Sequence, residues 1–201
     1  ATALAADPSR SAAFFAAEAA RGAGRTVYLD LDFRADQWFD PRAYGLAVRA
    51  LLPLVTVAFG TEEEVNAAML TDPRDLVITE QQISAPVIRG DVEANIAAML
   101  GRRPGPEALL VKRGVEGCTV HLEDGSVTAV PGFEVEVMNV LGAGDAFAAG
   151  VIYGRSRGWD WAKSARMGNA CGAIVVTRHG CANFTAYEEE ALVFVVEHGG
   201  F

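Results

Sequence analysis

Apolar and polar positions follow two rhythms along the chain, and the rhythm assigns the elements. Residues 9–20 ("SRSAAFFAAEAA") are filled by Ala and Phe, with Ser9 placed to cap, and the run stops at "RGAGR"; this predicts a helix. Residues 26–33 ("TVYLDLDF") start β-branched and apolar, then alternate with Asp30 and Asp32, which predicts a strand ending in polar surroundings. Residues 41–52 read as a helix and 54–59 ("LVTVAF") as a short buried strand. Residues 62–70, opened by Gly60-Thr61 and three glutamates, read as another helix, whereas 72–88 give no single rhythm. Residues 91–100 ("DVEANIAAML") predict a helix stopped by "GRRPGP", and 108–112 ("ALLVK") a further apolar strand. "CTVHL" and "SVTAV", joined by "EDG", predict a hairpin. Three helical segments follow: 143–156, 160–176 with Asp160 as N-cap, and 186–197. Strands alternating with helices, then a helical end, predict an α/β layered domain with a largely parallel sheet. No repeat, low-complexity tract or linker interrupts it, so 1–201 reads as a single α/β portion.

Composition narrows the ligand. The 201 residues are 51% apolar, enough for a sizeable core. A net charge of −9 without a Lys/Arg run argues against a nucleic-acid surface and leaves any anionic ligand to local donors. Cys118, Cys171 and Cys181 are odd in number and lack C-x-x-C spacing, and His121, His179 and His198 are scattered. Neither a disulfide framework nor a zinc site is expected, and a reducing cytoplasm is the simplest compartment. No secretory pattern or long apolar run occurs, so no membrane span is expected. Trp38, Trp159 and Trp161 are expected as core or edge aromatics, and Cys171 as packing on a small-residue face with Gly168 and Gly172.

The stretch "NVLGAGDAFAAG" (139–150) carries the chemistry. Three glycines fall within nine residues (142, 144 and 150), yet alanines and a phenylalanine follow the first two as a helix start would, and Asp145 sits at that start. Free amides at a helix N-terminus carry partial positive charge, and glycine lets an anion approach them. Gly142, Ala143 and Gly144 are therefore candidates for an anion cradle. Asp145, beside a bound phosphate, would serve by holding a hydroxyl aimed at it, which is the layout of phosphoryl transfer. On spacing alone a plain Gly-rich turn with an acidic first helical residue accounts for the stretch equally well. No G-x-x-x-x-G-K-[ST] occurs, "GAGDAF" lacks the third glycine of a dinucleotide fingerprint, and "GAGRTV" (22–27) precedes its strand instead of following it.

The same stretch resembles the C-terminal D-T-x-G-A-G-D-x-F signature of ribokinase-like sugar kinases, the PfkB family. "DLDFRADQW" (30–38) resembles the D-x-N-x-R-x-x-x-W segment of its keto-sugar-acid branch, and "GTEEE" (60–64) stands where the family has N-x-x-E. "VKRGVEGCTVH" (111–121) resembles the K-x-G-x-x-G strand and turn, and "GNACGAIVVTRHGC" (168–181) the closing adenine-side helix and loop. The resemblance covers essentially the whole chain. It implies a ribokinase-like three-layer α/β/α fold with a mostly parallel central sheet plus a β-hairpin. It also implies an ATP-dependent kinase for a small sugar or sugar acid, acting on a primary hydroxyl with Mg²⁺.

Residue roles follow from that resemblance. Asp145 corresponds to the catalytic base, also touching substrate, and Gly142, Ala143 and Gly144 to the anion hole around the γ-phosphate. Glu63 corresponds to the glutamate that organises Mg²⁺ through water; a solvated acidic first turn is the alternative for 62–64. Lys112, Gly114, Gly117 and Asn169 border the nucleotide, although a surface lysine and a helix asparagine bonding its neighbour fit equally. Arg34 meets a substrate carboxylate or a phosphate, or forms a surface ion pair. Asn139 replaces the family's Asp, which argues against potassium activation, and Gly60 replaces the Asn of N-x-x-E. Both departures resemble the branch that phosphorylates 5-dehydro-2-deoxygluconate in inositol catabolism. A 2-keto-3-deoxygluconate kinase, a nucleoside or vitamin kinase and a non-catalytic nucleotide-binding module remain open. Family members often dimerise through a β lid, so the resemblance allows a homodimer. The family's first strands, Gly-Gly substrate motif and lid find no match here, so the chain reads as the C-terminal nucleotide-binding and catalytic portion of a larger kinase.

Overall fold

The computed structural model describes residues 1–77 and 87–201. A mixed five-stranded sheet runs in the order β1-β2-β5-β6-β7 and a two-stranded sheet pairs β3 with β4. These strands are β1 Tyr28–Asp30, β2 Val57–Thr61, β3 Leu76–Val77, β4 Val87–Ile88, β5 Ala108–Lys112, β6 Cys118–Leu122 and β7 Val127–Val130. The helices are α1 Ser9–Gly22, α2 Pro41–Leu51, α3 Glu62–Met69, α4 Val92–Leu100, α5 Ala143–Ser156, α6 Trp161–Val176 and α7 Glu188–Glu197. The longest, α6, has 16 residues, and among the described residues no helix is long and apolar enough to cross a membrane.

The chain divides into two compact units: 1–111 with 121–126, and 112–120 with 127–201. In the first, β1 pairs parallel with β2, Tyr28 opposite Val57 and Asp30 opposite Phe59. β2 and β5 are buried along nearly their whole length, as continuous apolar runs require of strands covered on both faces. Leu31, Phe33, Tyr44, Val48, Val65, Met99 and Leu109 meet in the core beneath them. Tyr44 packs between Phe33 and Trp38 and donates its hydroxyl to the Leu31 carbonyl at 2.8 Å, so its one polar atom is satisfied inside the core.

The expected strand at 26–33 contracts to three residues for a backbone reason. The Leu31 amide still donates to the Phe59 carbonyl at 2.9 Å, but Asp32 takes φ +34° and leaves the extended region. The helix expected at 9–20 extends to Gly22, and the side chain that meets one of its first backbone donors is Asp7, not Ser9. Asp7 accepts from the Ser11 amide at 3.1 Å, while Ser9 turns its hydroxyl to the Ala6 carbonyl. Within 72–88 a 3₁₀ turn, Pro73–Asp75, leads into β3, β4 forms the far end, and residues 78–86 lie outside the described residues.

The tip of the hairpin expected from "EDG", assigned to the first unit, closes with the Leu122 amide donating to the Ser126 carbonyl at 2.9 Å and Gly125 at φ +86°; the helices that follow belong to the second unit. α5 spans the predicted 143–156, and α6 begins after Asp160, which accepts from the Lys163 amide at 2.8 Å. α5 and α6 pack closely on their small residues. A Cβ on Gly150 would lie 2.7 Å from the Met167 carbonyl oxygen, and one on Gly168 2.8 Å from that of Phe147. Cys171 joins an apolar cluster with Met167, Ile174 and Ala191, as a packing residue should.

Candidate active site

The segment entering α5 is fixed from both sides. Val176 O, at the end of α6, accepts from the amides of Met138 (2.8 Å) and Asn139 (3.1 Å). The Asn139 side chain accepts from the Leu141 amide at 3.0 Å and donates to the His179 carbonyl at 3.5 Å. The Asn139 side chain thus shapes the turn itself, a role its sequence reading did not include. Gly142 then takes φ +85°, ψ 0° as the N-cap of α5. A Cβ there would lie 2.6 Å from that of Cys181, so the 177–187 loop rests directly on the turn.

This arrangement leaves donors open. Ala143 donates to Val140 at 3.3 Å and Ala146 to Gly142 at 2.9 Å. Among the described residues no side chain caps α5, and no protein acceptor meets the amides of Gly144 and Asp145. Gly142, Ala143 and Gly144 are half-buried, and Asp145, third residue of the helix, is exposed. Two amides and a carboxylate therefore share one open helix start, where an anion is favoured by the dipole and the unpaired N–H groups together.

The second unit also holds the β5–β6 turn. Lys112 ends β5, half-buried; Gly114 (φ +60°) is exposed and Gly117 (φ +96°) buried. Arg113 donates to the Gly117 carbonyl at 2.8 Å and closes the turn. Asn169 is 8% exposed and donates its amide to the carbonyls of Val130 (3.1 Å) and Pro131 (2.9 Å). The same side chain also hydrogen-bonds the Cys118 thiol.

Glu63 and Arg34 lie in the first unit. Thr61 and Glu64 form a reciprocal capping box at α3: Glu64 accepts from the Thr61 amide at 2.8 Å, and Thr61 Oγ1 from the Glu64 amide at 3.3 Å. Glu63, between them in the cap, stays exposed. Among the described residues no cluster of three or more His, Cys, Asp or Glu side chains is placed to hold a metal. Arg34 gives both Nε and Nη2 to Asp32 Oδ1 at 3.1 Å, and its side chain remains 43% exposed. The hydrogen bond that Arg34 donates to Asp32, then the charge of that carboxylate, raises the guanidinium above the usual arginine value.

Solved structures share this architecture. A Vibrio cholerae O395 fructokinase, solved with fructose, ADP and calcium, superposes with TM-score 0.76 at 25% identity over 96% of this chain and 58% of its own. An E. coli protein described as a ribokinase II, solved with ATP and Mg²⁺, gives TM-score 0.78 at 25% identity over 96% and 56%. Sheet, helices and the open glycine turn together define an α/β kinase fold of the ribokinase type. The chain belongs to the PfkB family of carbohydrate kinases, whose pfkB family carbohydrate kinase profile matches residues 1–187. It is 31% identical over 196 residues to a 5-dehydro-2-deoxygluconokinase of Clostridium tetani, covering 98% of this chain and 53% of that relative. A 5-dehydro-2-deoxygluconokinase of Shouchella clausii is 30% identical over 194 residues, covering 96% and 54%. The chain thus spans about half the length of these curated relatives.

Proposed function

We propose that this chain supplies the phosphate-binding and proton-accepting groups of an ATP-dependent sugar-acid kinase acting on a primary hydroxyl of 5-dehydro-2-deoxy-D-gluconate. One observation carries the reading: the start of α5 presents unpaired amides beside an exposed carboxylate. Relatives named 5-dehydro-2-deoxygluconokinase support the choice of substrate.

The chemistry follows from the parts. The Ala143 amide is taken by the Val140 carbonyl, so within the Gly142–Gly144 stretch expected to form the anion hole it is Gly144, joined by Asp145, whose amides receive the charge that develops on the transferring phosphoryl group, at no cost of reorganisation because the turn is already set. Gly142, at φ +85° and packed against Cys181, sets the turn that presents those amides. Asp145 accepts the proton of the substrate hydroxyl as the oxygen attacks phosphorus. Mg²⁺, when bound with ATP, neutralises charge on the phosphates, and Glu63 is the carboxylate proposed to hold it through water. Lys112, Gly114 and Gly117 border the nucleotide, with Asn169 acting on that region through the backbone it holds. Arg34, oriented by Asp32, offers its exposed edge to the substrate carboxylate, where a planar fork suits two oxygens.

A substrate panel on the full-length protein tests this. ADP release with ATP, Mg²⁺ and 5-dehydro-2-deoxygluconate should exceed that with 2-keto-3-deoxygluconate, fructose or a nucleoside. Preference for a neutral acceptor would overturn the sugar-acid assignment. Saturable ATP binding without ADP release on any acceptor would make the protein a non-catalytic nucleotide-binding module.

A further inference from the structure

One arginine in the second unit holds four main-chain carbonyls. Arg166, in the second turn of α6, donates Nη1 to Pro131 (2.9 Å) and Gly132 (3.0 Å), Nη2 to His198 (3.0 Å) and Nε to Gly200 (3.2 Å). Its guanidinium lies 3.7 Å over the ring of Phe133, which meets Phe194 edge-on at 5.0 Å. Most of the fork's N–H groups are thereby committed in one rigid geometry, which a lysine could not reproduce. One turn further along α6, Asn169 takes the carbonyls of Val130 and Pro131. The two side chains fix three consecutive residues, Val130, Pro131 and Gly132.

Those three residues press on the β5–β6 turn with bare backbone. A Cβ on Gly117 would lie 2.2 Å from the Val130 carbonyl oxygen and 2.4 Å from the Gly132 nitrogen. A Cβ on Gly132 would lie 2.3 Å from the Val115 carbonyl oxygen, and the Gly132 amide donates to Glu116 at 3.2 Å. Main chain against main chain has no rotamer with which to absorb a shift. Where the 130–132 crossing sits therefore decides where the 114–117 turn sits.

We propose that Arg166 is a positioning residue for nucleotide binding: it clamps the 130–132 crossing, and through it sets the Gly114–Gly117 turn to the geometry that accepts ATP. This rests on the reading above that the turn borders the nucleotide. Arg166 itself faces carbonyls of its own unit and needs no contact with the nucleotide.

The test compares wild-type full-length protein with Arg166→Lys and Arg166→Met. Loss of charge-assisted bonds to the crossing should raise the KM for ATP about tenfold or more, with the sugar KM and kcat within about twofold. Amide hydrogen exchange at Gly117 and Gly132 should accelerate by a similar factor while the α5 amides keep their rates. If Arg166→Met does not fold, Arg166→Lys, which keeps the charge and loses the fork, carries the comparison. An unchanged ATP KM, or a rise in sugar KM and fall in kcat equal to the change for ATP, would overturn the proposal. Should wild-type protein show no saturable ATP binding, the kinase reading falls, and with it the nucleotide role of the turn. The exchange rates at Gly117 and Gly132 still decide whether the clamp exists.

Discussion

At φ +85°, Gly142 occupies backbone space that costs an L residue about 1–2 kcal/mol, and the neighbouring Cys181 leaves no room for a Cβ. The glycine pattern was legible in the sequence because it records a backbone demand. Asn139 was not. Read as a departure from a family signature, it proves to bond the turn on both sides, and such side-chain-to-backbone contacts leave no periodic trace. The cysteines make a prediction at this scale. Burial pushes the Cys118 thiol up to about 12, against a hydrogen bond from Asn169 that pulls it down. Burial, then the charge of Glu190, raises Cys171 to about 11. Both thiols are protonated at pH 8, so native-state alkylation by iodoacetamide should be slower than in the unfolded chain by on the order of 10²-fold. An acid whose value rises on folding gives up its proton first in the unfolded chain. The contribution of these thiols is therefore intact below about pH 9 and is lost as the pH climbs toward 11–12. Rapid native labelling of Cys118 or Cys171, or a Tm that does not fall above pH 9, would contradict this.

Among the elements, those with strong local signals matched their predicted bounds. β5 and α5 begin and end where the apolar run and the glycine turn place them, and Asp160 and Asp91 both cap their helices. Two others moved, each for a local backbone reason. β1 is cut short by the conformation of Asp32, and α7 starts at Glu188, where Glu190 accepts from the Tyr187 amide. The Arg166 clamp was invisible for a different reason: its partners lie more than 30 residues away, and a single arginine inside a helical pattern does not reveal which carbonyls it will meet. At α3 the structure separates three glutamates that the sequence could not. Glu64 belongs to the capping box, and Glu63 points to solvent. Thr61→Ala should therefore cost about 1 kcal/mol and lower Tm by a few degrees. Glu63→Gln should leave Tm unchanged and raise the Mg²⁺ concentration for half-maximal activity about tenfold. Thermal melts and a Mg²⁺ titration of the two variants check this; a destabilised Glu63→Gln with unaltered Mg²⁺ dependence would return Glu63 to a structural role.

For the whole molecule, fold and family agree from independent directions. The PfkB family match runs over residues 1–187, and the superposed structures align with 96% of the chain. Substrate identity was less legible. A carboxylate-binding arginine and an ion-paired one look alike in sequence, and Arg34 is paired with Asp32 while still exposed. The proposed catalysis depends on the chemistry at the start of α5. Its most direct test is Asp145→Asn in the full-length protein, with ATP affinity and turnover measured side by side. Nucleotide binding should hold within about threefold while kcat falls at least about 10²-fold. Turnover close to wild type in that variant would contradict the assignment of Asp145 as the group that takes the hydroxyl proton.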